Sequence, residues 1–291
     1  MNNAQRSGAV PASSGDHGVV RGLPKNQASW TARVPIASTV ADIGVLTQLA
    51  GQVLWSAVRR PIGYWSAVRD EMHSVLRTSW FPMSLAVVAF SLMIGFLGLN
   101  VTSLLGANNR YGQYFFIQNI REFTPWVNSM VVAGIVGAAI CSDLGARKVR
   151  EELDALRVLG IDPVRELVLP RVISTTFLTP LLLLLSLGVG LLCGLFSSIT
   201  YGGVPAGDYW DTVFKNLTTT EMVVAVLKSL TIGFMTGTVG AYKGLDSRPG
   251  ATGVGRAVNQ AVVLAFALVF IIDLAFNMIT LGLFPELQTV R

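Results

Sequence analysis

Charged residues are scarce in this chain of 291 residues. Asp, Glu, Lys and Arg make up 13% of it, against roughly 25% in soluble domains. Hydrophobic residues make up 52%, largely in long runs, and the mean hydropathy is +0.55. This composition excludes an ordinary soluble domain and indicates a helical membrane protein. The formal net charge of +5 does not indicate nucleic-acid binding, because the basic residues collect on one predicted side of the membrane.

The residue types that carry catalysis or bind metals are also few. The two cysteines, Cys141 and Cys193, lie in apolar runs and are interpreted as small packing residues. Of the two histidines, His17 lies near the N-terminus and His73 on a polar helix face. No catalytic triad, paired carboxylates or ligand cluster is evident, which predicts no catalytic site, no metal site and no cofactor. No Gly-Lys dipeptide occurs, so the phosphate-binding Walker A motif is absent and any ATP must be bound by another chain.

Composition and periodicity divide the chain into four predicted regions. Residues 1–39 lack an apolar core and are rich in Ser, Gly, Asn and Pro, which predicts a disordered leader. Residues 40–80 show helical periodicity with a polar face, which predicts interfacial amphipathic helices along the membrane surface. A soluble amphipathic helix is the alternative, and it is disfavoured because the segment runs directly into an apolar span. Residues 81–284 form the predicted membrane domain, and 285–291 an external tail. The five predicted spans cover residues 81–105, 124–146, 172–200, 222–242 and 257–284.

Basic residues flank these spans unequally. Four lie shortly before the first span, at positions 59, 60, 69 and 77, six lie between the second and third spans, and three lie between the fourth and fifth, whereas the opposite side has four. The positive-inside rule therefore predicts a cytoplasmic N-terminus, and an odd number of spans predicts an external C-terminus. The predicted fold is an all-α integral membrane protein with N-terminal interfacial helices and five transmembrane helices.

A charged loop, residues 145–171, separates the second and third spans. Residues 150–160 are predicted to form a helix within it, because acidic residues come first and Arg157 comes near the end, the order that the helix dipole favours. Gly160 offers a C-terminal cap, and Pro163 prevents the helix from continuing. A simple turn does not need an amphipathic charged helix, so this loop is predicted to dock onto a soluble cytoplasmic partner.

Four ionisable residues lie within or beside the apolar spans. Lys228 is in the fourth span, Asp273 in the fifth, and Arg121 and Glu122 stand just before the second. Charges at membrane depth are costly and are usually paired or functional. Lys228 could instead extend to the nearby outer interface, but the short side chain of Asp273 could not. The four residues are predicted to form one polar cluster beneath an apolar lipid cavity, with a structural role and a gating role both left open.

Several sequence blocks resemble one protein family. The most specific is SDLGARKVREELDALRVLGIDPVRELVLPR at 142–171, supported by the Arg-Glu-x-x-Pro motif at 121–125, Lys228-Ser229 and GATGVGRAVNQAVV at 250–263. Over roughly residues 40–284 the chain resembles the MlaE/YrbE permeases, the membrane subunits of ABC transporters that move lipids together with MCE proteins. It is most similar to the actinobacterial Mce branch, and more to its A-type than to its B-type subunit.

The resemblance implies an inner-membrane permease with an apolar lipid cargo and several protein partners. These are a second permease chain (a B-type paralogue, otherwise a second copy), a cytoplasmic ABC ATPase dimer and external MCE proteins, with no nucleic acid. In this family the loop between spans two and three carries the coupling helix that docks onto the ATPase. The resemblance assigns that role to Glu151, Glu152, Leu153, Asp154, Ala155, Leu156 and Arg157.

Two other functions compete with a permease. A non-transporting scaffold could anchor MCE proteins, but a passive anchor would not need a coupling helix. An ion-coupled carrier would require inverted repeats or broken helices around a midplane site, and no convincing repeat occurs in the five spans.

Overall fold

The computed structural model describes residues 35–59 and 63–284. Within these residues the protein is helical and has no β-strand, and five helical stretches are long and apolar enough to cross a bilayer. The predicted class, an all-α integral membrane protein, is therefore confirmed. The described residues divide into two units between Val45 and Leu46. The five stretches are Trp65–Leu104, Asn108–Val149, Val164–Tyr201, Thr219–Leu245 and Ala251–Leu283.

Helix α1 covers Pro35–Arg59. It begins five residues before the predicted boundary at residue 40. Proline is favoured at the first position of a helix, because its fixed φ suits the helix and its missing N–H would have no partner there. Residues 1–34 of the predicted leader and the predicted tail 285–291 lie outside the described residues.

Helix α2 covers Trp65–Leu104 and joins the predicted surface helix to the first span without a break. The helix continues through Pro82, and transmembrane helices tolerate an internal proline. In its first part Val68 and Val75 are buried, whereas Arg69 and His73 are exposed. This is the amphipathic pattern expected from the sequence.

The second apolar stretch is a composite helix. It begins at Asn108, well before the predicted start of the span at 124, because the polar residues around Arg121 are satisfied by other helices. A 3₁₀ turn, Asn108–Arg110, leads into α3, Tyr111–Phe115, and two π-helical segments then separate α3, α4 and α5. The remaining segments are Phe116–Phe123 (π), α4 Thr124–Val132, Ala133–Gly137 (π) and α5 Ala138–Val149.

The rest of the chain supplies three long helices and two short ones. A π-helical segment, Val164–Val168, precedes α7. The helices are α6 Glu152–Val158, α7 Leu169–Tyr201, α8 Ala206–Asn216, α9 Thr219–Leu245 and α10 Ala251–Leu283. Helix α7 packs against α2 and α9, and α10 packs against α9 and α5. Helix α10 is the most peripheral, since its buried residues are only Ala257, Ala261, Ala265 and Val269.

Glycines allow α9 to approach its neighbours closely. A Cβ atom on Gly240 would lie 2.7 Å from the backbone oxygen of Gly137 on the composite helix. A Cβ on Gly233 would lie 2.8 Å from the backbone oxygen of Thr175 on α7. Small residues permit such contacts in lipid, where packing rather than the hydrophobic effect holds helices together. Helix α9 thereby lies close to both the composite helix and α7.

Candidate functional site

Lys228 and Asp273 form an ion pair between α9 and α10. The ammonium nitrogen of Lys228 lies 2.8 Å from Asp273 Oδ1, and the Lys228 side chain is only 2% exposed. Lys228 therefore does not extend to the outer interface. A buried charge is tolerated when it is paired and hydrogen-bonded. Lys228 and Asp273 are paired with each other, and their hydrogen bonds are described next.

Asn277 connects this pair to Glu122. Its Oδ1 accepts a hydrogen bond from Lys228 Nζ at 3.3 Å. Its Nδ2 donates to Glu122 Oε2 at 2.7 Å and to Asp273 Oδ2 at 3.3 Å. Asn277 lies one helical turn after Asp273 on the same face of α10. The amide therefore uses both of its ends to join three charged side chains.

Arg121 pairs with Glu221 rather than with its neighbour Glu122. Arg121 Nε donates to Glu221 Oε1 at 3.0 Å, and its Nη2 contacts the same oxygen. The backbone oxygen of Arg121 also lies 3.5 Å from Lys228 Nζ. In a regular α-helix that oxygen would accept from residue 125, but Pro125 has no N–H to donate. Lys228 Nζ is a donor within reach of this oxygen.

The structure brings all four predicted residues into one network, with Glu221 and Asn277 as additional members. Glu221 was missed because it lies one residue before the predicted fourth span, and Asn277 because it carries no charge. A helical-spacing signal was available for both. Glu221 is seven residues before Lys228 and Asn277 four residues after Asp273, spacings that place each pair on one helix face. With Glu221 included, three carboxylates accompany two cations, so the set is not the neutral group of four that the sequence suggested.

A π-helical segment carries Arg121 and Glu122. Both lie within Phe116–Phe123, and they reach different helices although they are adjacent in sequence. Arg121 contacts α9 and Glu122 contacts α10. Segments of this kind occur frequently at functional sites, because they change the direction of side chains within a helix.

A small cavity lies beside the network. Its volume is about 30 Å³, which is enough for a water molecule and far too small for a lipid. Glu221 Oε2 is buried and has no hydrogen-bond partner among the described residues. This cavity is therefore too small to be the predicted lipid cavity, and a larger apolar cavity of about 330 Å³ is lined by residues of α2 and α7. The lining residues of the small cavity are Ile120, Arg121, Glu122, Glu221, Val224, Ala225, Lys228, Asn277, Thr280 and Leu281.

The loop between the second and third apolar stretches contains a helix that is shorter than predicted. Helix α6 covers Glu152–Val158 rather than 150–160, because Arg150 caps the end of α5 and Glu151 precedes the first residue of α6. Glu151 stands between the two helices with φ of +61°. This left-handed conformation lets the chain turn sharply, at a steric cost for a residue with a side chain. Glu151 is thus a linker residue and not part of the first helical turn.

The C-terminal end of α6 has the geometry of a Schellman motif. Gly160 has φ of +77°, and its N–H donates to the Arg157 oxygen at 3.0 Å. The N–H of Ile161 donates to the Leu156 oxygen at 2.9 Å. These two bonds satisfy carbonyl groups that the helix end leaves unpaired. Asp162 Oδ1 then accepts from the Val164 N–H at 3.0 Å, which fixes the start of the next helical stretch.

The side chains of α6 divide into buried, paired and exposed groups. Leu153 is buried. Glu152 accepts from Arg147 Nη1 at 3.2 Å and from Arg150 Nε at 2.7 Å. Asp154 is paired with Arg157 at 2.9 Å. Ala155 is exposed, and Leu156 is half-buried.

Two apolar residues at the C-terminal end of α6 are exposed on the surface of the chain. Val158 is 89% exposed and the next residue, Leu159, 73% exposed. Sequence analysis did not name them, because it considered the charged part of the loop. The signal was two consecutive apolar residues before a capping glycine. Unlike the exposed apolar residues of the membrane spans, this pair lies in a charged loop, next to Arg157.

Comparison with known proteins places these features in a family. A family model described as "Permease MlaE" matches residues 68–279. The chain is 31% identical over 236 residues to protein TRIGALACTOSYLDIACYLGLYCEROL 1 of Arabidopsis thaliana, covering 79% of this chain and 65% of that protein. It is 30% identical over 238 residues to a probable ABC transporter permease protein of Rickettsia typhi, covering 79% of this chain and 88% of that protein. A probable ABC transporter permease protein of Synechocystis is 32% identical over 197 residues, covering 65% of this chain and 74% of that protein.

Proposed function

The chain belongs to the MlaE permease family, and we propose that it is the membrane-spanning subunit of an ATP-driven lipid transporter. Its five apolar helical stretches agree with a multi-pass permease, and relatives are named as ABC transporter permeases. The Arabidopsis relative is named after a galactolipid, which supports a lipid as the cargo.

The exposed apolar end of α6 carries this proposal. Val158 and Leu159 lie in the loop with the most basic residues, on the predicted cytoplasmic side. Water is an unfavourable environment for two adjacent exposed aliphatic side chains, and burial in a partner would stabilise the contact by about 25 cal/mol per Å² of apolar area. We assign α6 as the coupling helix. Its apolar end would enter a groove of an ABC ATPase, and Asp154, Ala155 and Arg157 would lie at the edge of the contact.

A second permease chain is part of the proposal. The cavity beside the polar network holds about 30 Å³, and an apolar cavity of about 330 Å³ lined by α2 and α7 is at the lower limit of the ~300–1,000 Å³ typical of ligand pockets. A second chain would complete a path wide enough for a lipid. A B-type paralogue is the proposed partner, and a second copy is the alternative.

The remaining assignments rest on the family and on the sequence blocks named above. We assign the chain to the actinobacterial Mce branch as an A-type subunit, working with MCE proteins on the external side of the inner membrane. The chain itself would bind no cofactor, and the partner ATPase would bind ATP. The N-terminus would be cytoplasmic and the C-terminus external.

The test is purification of the full-length chain from its native membrane, followed by identification of the proteins and lipids that accompany it. We expect an ABC ATPase, a second permease and apolar lipid. After reconstitution, ATP should drive transfer of a fluorescent phospholipid between vesicles. A membrane scaffold would instead retain MCE proteins without an ATPase, and that result would overturn the proposal.

A pair of matched variants tests the docking surface. Val158→Ser with Leu159→Ser should abolish retention of the ATPase while the permease remains inserted. Leu104→Ser with Leu105→Ser is the control, since these adjacent residues are also 87% and 74% exposed but lie on the opposite predicted side. Loss of the ATPase in both double variants, or in neither, would contradict the assignment of α6.

A further inference from the structure

Asp143 links two membrane helices at their predicted cytoplasmic ends. It lies on α5, and its Oδ2 accepts from Arg147 Nε on the same helix at 3.1 Å. The same oxygen contacts Arg171 Nη2 at the start of α7. Arg171 is only 11% exposed and also donates to the Leu167 oxygen at 2.5 Å. One carboxylate oxygen thus joins the ends of two helices that are far apart in sequence.

Arg147 extends this connection to α6. Its Nε binds Asp143 and its Nη1 binds Glu152 Oε2 at 3.2 Å. A continuous line of charged contacts therefore runs from Glu152 on α6 through Arg147 and Asp143 on α5 to Arg171 on α7.

Few other contacts fix α6 in position. Leu153 is its only buried side chain. The chain enters α6 through the left-handed residue Glu151 and leaves it through the left-handed residue Gly160. Both linkers are short turns. Arg147 and Arg150 both bind Glu152, at 3.2 Å and 2.7 Å, and of these two arginines Arg147 is the one that also binds Asp143.

Helix α5 is placed to follow any displacement of α6. Lys148, next to Arg147, donates to the Leu245 oxygen at the end of α9 at 2.7 Å. The end of α5 is thus attached to α6, α7 and α9. A displacement of α6 that moves Arg147 must also affect the ends of the spans that hold the polar network.

We propose that Asp143 is a positioning residue that transmits movement of α6 to α5 and α7. This inference rests on the proposed function, because it takes α6 as the element that follows the ATPase. An ATP-driven displacement of α6 would pull Arg147 through its bond to Glu152. Asp143, which is bonded to Arg147, would then move Arg171. Removal of the carboxylate would leave ATP hydrolysis intact and disconnect it from the membrane helices.

A purely stabilising role is a weaker explanation for these contacts. Asp143 is 41% exposed and Arg147 32% exposed, and such a partly exposed ion pair contributes only ~0–1 kcal/mol. The pair with Arg171, which is 11% exposed, is more shielded from water. The line of contacts as a whole specifies the relative positions of three elements, which suits it to transmitting a change of conformation.

The decisive variant is Asp143→Asn in the complete complex with its ATPase. We expect normal insertion, normal retention of the ATPase and ATP hydrolysis close to wild type. Transfer of a fluorescent phospholipid per ATP hydrolysed should fall ~5-fold or more, the usual lower range of coupling between two sites. Asp143→Glu should restore much of the ratio. Arg147→Gln should lower the ratio in the same way, because it breaks the line at the next residue.

Asp211→Asn is the matched control. It removes the ion pair with Lys215 on α8, which is also partly exposed but lies within one helix. Its transfer ratio should equal that of wild type. An unchanged ratio in both Asp143→Asn and Arg147→Gln would overturn the inference, as would loss of ATPase retention in these variants, which indicates a structural role.

Hydrogen exchange gives a second, independent measurement. In wild type, addition of ATP should change amide exchange in α6 and in the first turn of α7, around Arg171. In Asp143→Asn the change should be confined to α6. An equal change in α7 of both proteins would overturn the inference. Failure of wild type to hydrolyse ATP or transfer lipid would instead contradict the proposed function itself, which separates the two outcomes.

Discussion

The Lys228 ammonium lies 2.8 Å from Asp273 Oδ1, between α9 and α10. Both helices contribute further partners, since Glu221 precedes Lys228 on α9 and Asn277 follows Asp273 on α10. The pair stands at the centre of a network that joins α9 and α10 to the π-helical segment of the second span. The predictions below address this network, helix packing, the linker before α6 and membrane orientation.

Neutralising Lys228 alone should destabilise the protein more than neutralising both members of the pair. Lys228→Met leaves Asp273 without its ion-pair partner, and breaking one side of a buried pair costs ~3–5 kcal/mol. Adding Asp273→Asn should recover part of this loss, because it removes the unpaired charge. Thermal unfolding of the purified variants in detergent measures the effect. Lys215→Met is the control, because its exposed pair with Asp211 should contribute little. Equal stability of the single and double variants would contradict the prediction.

Replacing Glu221 should weaken the attachment of Arg121. Glu221→Gln keeps the shape and one acceptor oxygen but removes the charge that pairs with Arg121. We expect a loss of roughly 1–3 kcal/mol, the range for hydrogen bonds to charged groups. Glu221→Ala should cost more, because Arg121 loses its acceptor. Thermal unfolding in the same detergent orders the three proteins, and an order in which Gln is worse than Ala would exclude a pairing role for Glu221.

Two Gly→Ala substitutions should have opposite effects on the stability of the protein. Gly240→Ala places a Cβ 2.7 Å from the Gly137 backbone oxygen, so α9 must move away from the second span, at a cost of ~1–3 kcal/mol. Gly188→Ala on α7 meets nothing within 4 Å, and alanine is the better helix former by ~1 kcal/mol. The first variant should unfold at a lower temperature than wild type and the second at the same or a higher temperature. Similar shifts in both would show that the Gly240 contact is not close in the folded protein.

Glu151 and Glu152 should respond differently to substitution. Glu151→Gly should be tolerated or stabilising by ~1 kcal/mol, because glycine adopts φ of +61° without the steric cost. Glu152→Lys places a cation beside Arg147 and Arg150 and should lower phospholipid transfer per ATP while the chain remains inserted. The reconstituted transfer assay compares the two. Loss of transfer in Glu151→Gly with normal transfer in Glu152→Lys would reverse the assignment of the two residues.

A reporter fused after Arg291 should be active on the external side of the membrane. The motivation is the excess of basic residues in the segments predicted to be cytoplasmic. A paired fusion within the loop at residue 160 should report the cytoplasm. The prediction fails if the C-terminal fusion is active only in the cytoplasm.

Patterns within single segments predicted correctly what depends on local sequence. Long apolar runs indicated the helical membrane class, because backbone groups in lipid must be hydrogen-bonded within each segment. Lys228 and Asp273 were recognisable as interior residues, since charges in apolar runs are costly without partners. Gly160 was recognisable as a cap, because glycine adopts the left-handed conformation without strain.

The sequence by itself thus determined that the chain is a bundle of apolar helices, where its charged interruptions fall and which ionisable residues lie inside the bundle. Only the tertiary structure decided how those residues pair. Arg121 selects Glu221 over the adjacent Glu122, and Asn277 joins the two halves of the network, because partner choice depends on distances between helices that are far apart in sequence. The same holds for Glu151, whose helical propensity was overridden by the sharp turn from α5 to α6. It holds also for Asp143, whose link to Arg171 exists only because α5 and α7 meet at one end of the bundle.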